Sequence, residues 1–99
     1  MSSTNGKHNT QKFALGQVVA TPGLLSALEE SGEPASNFLR RHQSGDWGDV
    51  CRDVAEANEE ALQVALRIFS VYHTINGQKI YIISEADRSS TCLLLPEEY

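Results

Sequence analysis

The densest group of chemically versatile side chains is Glu85-Ala86-Asp87-Arg88-Ser89: two acids, an arginine and a serine in one short run. An Arg88 fork held by Glu85 or Asp87 would offer planar paired donors to an anion. The same residues also make an ordinary tight turn, with Asp87 and Ser89 accepting backbone N–H groups, and turn chemistry is the favoured reading. A second group, Arg41-His42-Gln43-Ser44-Gly45-Asp46-Trp47, places an imidazole close in sequence to a carboxylate. His42 paired with Asp46 would be an oriented acid–base group. His42 also shares a helical face with Phe38 and Leu39, however, which favours a satisfied, half-buried histidine. No nucleophile is marked out beside this second group. His42, Asp46, Glu85, Asp87 and Arg88 are therefore the candidate catalytic or anion-binding residues.

A third group is acidic. At roughly 100° per residue, Asp49, Asp53, Glu56 and Glu60 fall within about 60° of arc on one helix, interrupted only by Arg52. Such a stripe is commonly a solvated face with acids favoured in the first helical turn. It is also a surface that a basic protein can recognise. His42, His73, Cys51 and Cys92 lack metal-ligand spacing, so neither a metal nor a cofactor is expected. The chain contains no G-x-x-x-x-G-K-[ST], H-E-x-x-H or G-x-S-x-G signature, which lowers the expectation of an enzyme.

Bulk properties narrow the partners. Lys and Arg number 8 against 13 Asp and Glu, a formal net charge of −5. That balance argues against direct duplex DNA binding, which needs a surplus of cations to neutralise phosphates. A hydrophobic content of 40% with 21% charged residues describes a globular chain rather than a disordered one. Cys51 and Cys92 read as small, partly buried residues of a reducing compartment. No apolar run approaches the roughly 20 residues that span a bilayer. Residues 1–11 are polar and lack the apolar stretch of a signal peptide, so the expected setting is the cytoplasm.

The elements that position these groups follow from local pattern. Residues 1–12 have no apolar periodicity and read as a tail, with His8 exposed in it and without a role. A short strand lies within 13–20. Thr21-Pro22 starts a helix, with Thr21 as N-cap and proline at the first helical position. Leu24, Leu25 and Leu28 form its apolar face and Gly32 ends it. Pro34 opens a second helix that stops at Gly45, followed by a loop around Trp47. A third helix runs from about Cys51 or Asp53 to about Leu66, with Val54, Ala57, Ala61 and Ala65 on one face.

Residues 67–75 and 78–84 are rich in β-branched and aromatic residues and flank Asn76-Gly77, the signature of a type I′ hairpin. A two-residue loop sets Tyr72 opposite Tyr81 and Val71 opposite Ile82. Phe69, Val71, Ile80 and Ile82 then form the helix-covered face, with His73 at its margin. Ile68, Ser70, Tyr72, Tyr81 and Ile83 form the other. A last strand covers 91–95, and Pro96 ends it. The expectation is a two-layer α+β domain over 13–99: one strand, three helices, then a three-stranded antiparallel meander. Its second sheet face is half apolar with no helix left to cover it. It is a candidate surface for a protein partner or for a homodimer through Tyr72 and Tyr81.

Several motifs have a family likeness: Ala20-Thr21-Pro22-Gly23, residues 41–48, Asn58-Glu59, the run Ser84-Glu85-Ala86-Asp87-Arg88-Ser89, and Leu94-Leu95-Pro96-Glu97-Glu98-Tyr99. Through them the chain resembles, over 13–99, a family of small bacterial proteins met on plasmids and other mobile elements. Some of these carry the label of a type I restriction subunit. Ser84 stands where such relatives often have threonine, and it keeps the hydroxyl. The resemblance implies a bacterial cytoplasm and a mobile-element setting, and it carries no activity with it. The expected function is a non-enzymatic interaction module. The alternative is a small enzyme or anion-binding protein centred on His42, Asp46, Glu85, Asp87 and Arg88.

Overall fold

Local chemistry sets the helix boundaries in the computed structural model, which describes residues 11–99. β1 (Gln17–Ala20) leads into α1 (Pro22–Ser31), where the Thr21 side chain accepts the Leu24 N–H and Gly32 adopts the left-handed conformation that ends the helix. α2 (Ala35–Gln43) follows Pro34, and its apolar side buries Phe38 and His42. α3 (Arg52–Gln63) ends three residues earlier than expected, because Val64 is already extended. Its buried positions are Asn58 and Ala61. Of the expected small-residue face, Ala61 is buried and Val54 partly buried, whereas Ala57 and Ala65 are exposed, so the buried side of α3 is rotated toward Asn58. The expected tail lies outside the described residues except for Gln11 and Lys12. Lys12 is not free: its N–H donates to the Gln43 carbonyl at 2.8 Å.

β2 (Ile68–His73), β3 (Lys79–Ser84) and β4 (Ser90–Leu94) form the antiparallel meander. β1 adds to β4 in parallel, giving a mixed four-stranded sheet of order β1-β4-β3-β2. A 3₁₀ turn, Pro96–Glu98, closes the chain. The domain is thus α+β, with one strand, three helices and then three antiparallel strands.

The hairpin register differs from expectation by one residue. Tyr72 pairs with Ile80 and Val71 with Tyr81. The loop holds three residues, Ile75-Asn76-Gly77. Gly77 N–H donates to the Thr74 carbonyl at 2.8 Å, and Thr74 N–H donates to the Gln78 carbonyl at 2.9 Å. Gly77 has φ +86°, whereas Asn76 keeps a negative φ. This is a type I turn followed by a bulged glycine rather than a type I′ turn. A one-residue slip moves every side chain of a strand to the other face. Tyr72, not Val71, therefore joins Ile80 and Ile82 under α1 and α2, in a core with Leu24, Leu28, Phe38 and Leu93. Tyr72 and Tyr81 lie on opposite faces, which removes the homodimer surface expected from their sharing one. A second cluster, Trp47, Ala61 and Ile68, packs with Phe13, Val50 and Leu62. Cys51 is exposed rather than partly buried, and Cys92 is partly buried. Among the described residues, no helix is long and apolar enough to cross a membrane.

Candidate functional site

His42 points from α2 into the sheet and is fully buried. Its Nδ1 lies 2.6 Å from Ser70 Oγ and its Nε2 3.0 Å from Ser84 Oγ. Ser84 Oγ lies 2.6 Å from Thr91 Oγ1, which donates to the Leu15 carbonyl at 2.8 Å. A carbonyl only accepts, so the donors fall in one order. Thr91 uses its hydrogen on Leu15, Ser84 uses its own on Thr91, and His42 must donate from Nε2 to Ser84. The neutral ring then accepts at Nδ1 from Ser70. Burial, with a smaller contribution from the Arg88 charge, lowers the His42 pKa to about 4. Ser70, Ser84 and Thr91 are also fully buried. This hydrogen-bonded chain holds a neutral imidazole in place between fully buried hydroxyls.

Asp46 pairs with Arg41 instead of His42. Arg41 Nε donates to Asp46 Oδ2 at 2.7 Å, and the guanidinium lies over the Tyr72 ring, 4.4 Å from its centre. The hydrogen bond from Arg41 holds the Asp46 carboxyl below its ordinary range. Burial pushes the Tyr72 phenol up to about 12, and its hydroxyl donates to the Asp46 carbonyl. These groups line a shallow polar groove of about 460 Å³ with Gly48, Asp49, Val71 and His73. His73 Nδ1 and Asp49 Oδ2 stand 4.0 Å apart across it. Gly48 (φ +77°) is one of its lining residues, and a Cβ there would come within 2.0 Å of the Val71 carbonyl oxygen. The groove can hold a small polar group. Among the described residues that line it there is no serine, threonine or cysteine.

The other three candidates lie elsewhere and are each engaged. Glu85 pairs with Arg67 at 3.2 Å. Asp87 Oδ1 accepts the Ser89 N–H at 3.0 Å, as turn chemistry predicts, and hydrogen bonds from Ser89 hold its carboxyl below the usual range. Arg88 is clamped by main chain and not by a carboxylate. Its Nη1 donates to the carbonyls of Leu66 (2.6 Å), Glu85 (2.9 Å) and Ala86 (3.1 Å), and its Nη2 donates to Ala61 (2.7 Å). Ala61 lies in the last turn of α3, where carbonyls lack helical partners and a cation is favoured. Arg88 reaches them from φ 60°, the one positive φ outside glycine among the described residues. The anion-binding fork is thus already filled.

In the acidic stripe, Asp53, Glu56 and Glu60 are exposed on α3. Glu56 stands 3.9 Å from Arg52, while Asp49 precedes the helix and faces the groove. Among the described residues, no three His, Cys, Asp or Glu side chains are placed to hold a metal ion. Burial pushes the Cys92 thiol up, away from the reactive thiolate.

The second face of the sheet carries the apolar surface. Phe69 and Tyr81 meet edge to face at 4.8 Å, and Tyr99 reaches Tyr81 at 6.0 Å. With Arg67 and Ile83 they line an apolar recess of about 250 Å³. Phe69 and Tyr99 escape strand alternation based on the wrong register. The aromatic composition of 67–81 is the visible signal for Phe69, whereas Tyr99 lies outside that run.

No family model, curated protein or solved structure matches this chain.

Other residues matter in ways that periodicity does not show. Asn58 lies on the apolar side of α3 between Val54 and Ala61, a polar residue where a hydrophobic one is expected. That misplacement is its sequence signal. Glu98 accepts from the Thr21 hydroxyl, from Gly23 N–H at 3.1 Å and from Leu95 N–H at 2.9 Å. These bonds, the Thr21 bond foremost, keep its carboxyl below its ordinary range. A carboxylate at the positive end of α1 joins the two termini of the fold.

Proposed function

We propose that this protein is a non-enzymatic interaction module, an accessory protein of a plasmid or other mobile element, binding a protein partner through the aromatic face of its sheet. The observation that carries this reading is the one-sided sheet. α1 and α2 pack with Tyr72, Ile80, Ile82 and Leu93, while Phe69, Tyr81 and Tyr99 ring a recess on the opposite face. Aromatic rings around an apolar recess beside an arginine have the composition of an interface centre. The partner that fits offers an apolar side chain to the recess. A basic surface on that partner would be drawn by the net charge of −5.

The enzyme alternative loses its support from placement. His42 is buried, Asp46 lines the groove with Arg41, and Glu85, Asp87 and Arg88 are held in another turn. The motifs that resemble plasmid-associated proteins meet at structural joints: Thr21 and Gly23 with Glu98, Arg41 with Asp46, and Arg88 with the end of α3. They support a common fold and leave the aromatic face to carry recognition.

A photo-crosslinking residue at position 81, expressed in a bacterial host carrying the native element, tests the proposal. The expected result is one specific protein adduct at position 81 and none at position 56 on α3. The adduct is lost when Phe69→Ser is added, with the melting curve retained. Adducts at 56 and none at 81 would move recognition to the acidic helix and overturn the proposal.

A further inference from the structure

The two edges of the sheet are treated in opposite ways. On β2 the outward backbone groups in mid-strand are satisfied by the chain itself. Asn58 bonds both the N–H and the carbonyl of Phe69, at 3.1 and 2.8 Å. Val71 N–H donates to the Trp47 carbonyl at 3.1 Å, and its carbonyl accepts Asp49 N–H at 2.7 Å. On β1, Gln17 N–H and Thr21 N–H turn inward to Ser89 and Leu93 of the β4 side. Alternation therefore turns the N–H and carbonyl groups of Val18 and Ala20 outward. Among the described residues no backbone partner meets them. Val18 and Val19 are each 43% exposed, and Leu25 in the first turns of α1 is 54% exposed.

Edge strands are ordinarily guarded by charge, proline or a bulge. β1 has none of these, and residues 13–28 contain no charged side chain at all. The acids of α3 sit beside β2, at the far edge of the sheet.

We propose that β1 pairs antiparallel with β1 of a second copy of this chain, joining two four-stranded sheets into one. The partner is a second copy because a two-fold axis sets identical side chains against each other. An uncharged edge tolerates that, and the charge segregation keeps the two acidic helices at opposite ends of the dimer. With the axis at Val19, Val18 of each copy exchanges two backbone hydrogen bonds with Ala20 of the other. Val19, in register with Cys92 and Ile83, meets its counterpart on the aromatic face. The strip is short, so the dimer is weak and concentration-dependent.

Sedimentation equilibrium of the full chain, from about 10 to about 500 μM, tests this. The expected result is reversible dimerisation, weakened at least about tenfold by Val19→Lys and retained in Val19→Thr and in Tyr81→Ala. Amide exchange gives an independent reading that needs no variant. Protection at Val18 and Ala20 should rise with concentration, while that of Val19, already bonded within the sheet, stays constant. A monomer at the highest concentration overturns the proposal. So does a dimer that persists in a folded Val19→Lys variant, or one lost in Tyr81→Ala, which would place the contact on the aromatic face.

Discussion

Asn58 grips the backbone of Phe69 on both sides, its amide donating to the Phe69 carbonyl at 2.8 Å while its own carbonyl accepts the Phe69 N–H at 3.1 Å. A single side chain thereby stands in for a neighbouring strand and fixes α3 along the edge of β2. Each orphaned buried donor or acceptor costs roughly 1–3 kcal/mol. Asn58→Ala orphans two such groups and is expected to lower stability by about 2–4 kcal/mol. Asn58→Asp keeps the acceptor, loses the donor and buries a charge, so it should also destabilise. Urea midpoints decide, and an unchanged midpoint in both variants would mean that the edge is held by something else. The opened edge should also raise aggregation at high concentration.

Arg88 holds four main-chain carbonyls from φ 60°. Removing a charged donor of this kind typically costs about 1.5–3 kcal/mol, and Arg88→Ala is expected in that range. No carboxylate is stranded, which keeps the loss below that of a broken buried ion pair. Arg88→Lys should recover only part of it, since an ammonium lacks the fork that spans Ala61 and Leu66. Equal midpoints for wild type and Arg88→Ala in urea would refute the clamp.

His42 makes stability pH-dependent in a defined window. Its folded pKa is about 4, against the ordinary 6.5 of the unfolded chain. Between these values the unfolded state binds the proton and the native state does not, so stability rises with pH there. The contribution is complete above about pH 6.5 and is lost as pH falls toward 4, by up to about 3 kcal/mol. Asp46, Asp87 and Glu98 have lowered pKa values, so their contribution is present above the ordinary carboxyl range and is lost in stronger acid. Urea unfolding across pH 7.5 to 4.5 should show the His42 slope, and His42→Gln should flatten it. Nitrogen-15 spectra at neutral pH should show a proton on Nε2 and none on Nδ1. A folded-state titration near 6.5 would contradict the buried neutral ring.

Gly48 has φ +77°, and a Cβ there would meet the Val71 carbonyl oxygen at 2.0 Å and the Tyr72 ring at 2.6 Å. Gly48→Ala therefore combines left-handed strain with a clash against main chain. The expected loss is at least about 3 kcal/mol, with the Trp47 and Asp49 backbone bonds to Val71 broken. Thermal melts with amide exchange at Val71 and Asp49 check it. Native protection in the alanine variant would show that the loop moves aside without cost.

Much of this fold is written in short-range chemistry. Thr21, Pro22 and Gly32 bound α1 because a cap, a fixed φ and a left-handed stop act on neighbouring residues. The two strands around Asn76-Gly77 are equally local. The register is not, because Asn-Gly serves both a two-residue type I′ loop and a three-residue loop with a bulged glycine. Burial chose between them: the longer loop turns Ser70 toward His42 and packs Tyr72 beneath the helices.

Periodicity sets His42 beside Phe38 and Asn58 between Val54 and Ala61 on apolar helix faces, and leaves Arg88 in a polar turn, but it names no partner for any of them. Whether such a residue can be buried depends on partners far away in sequence. Those partners are the Ser70 and Ser84 hydroxyls, the Phe69 backbone, and the Ala61 and Leu66 carbonyls. Backbone carbonyls are the same at every position and leave no mark in the sequence. Residue types alone thus determined the order of elements, the caps and the existence of a half-apolar second face. Tertiary packing decided which aromatic rings occupy that face, because a one-residue register shift costs nothing locally and reverses every side chain of a strand.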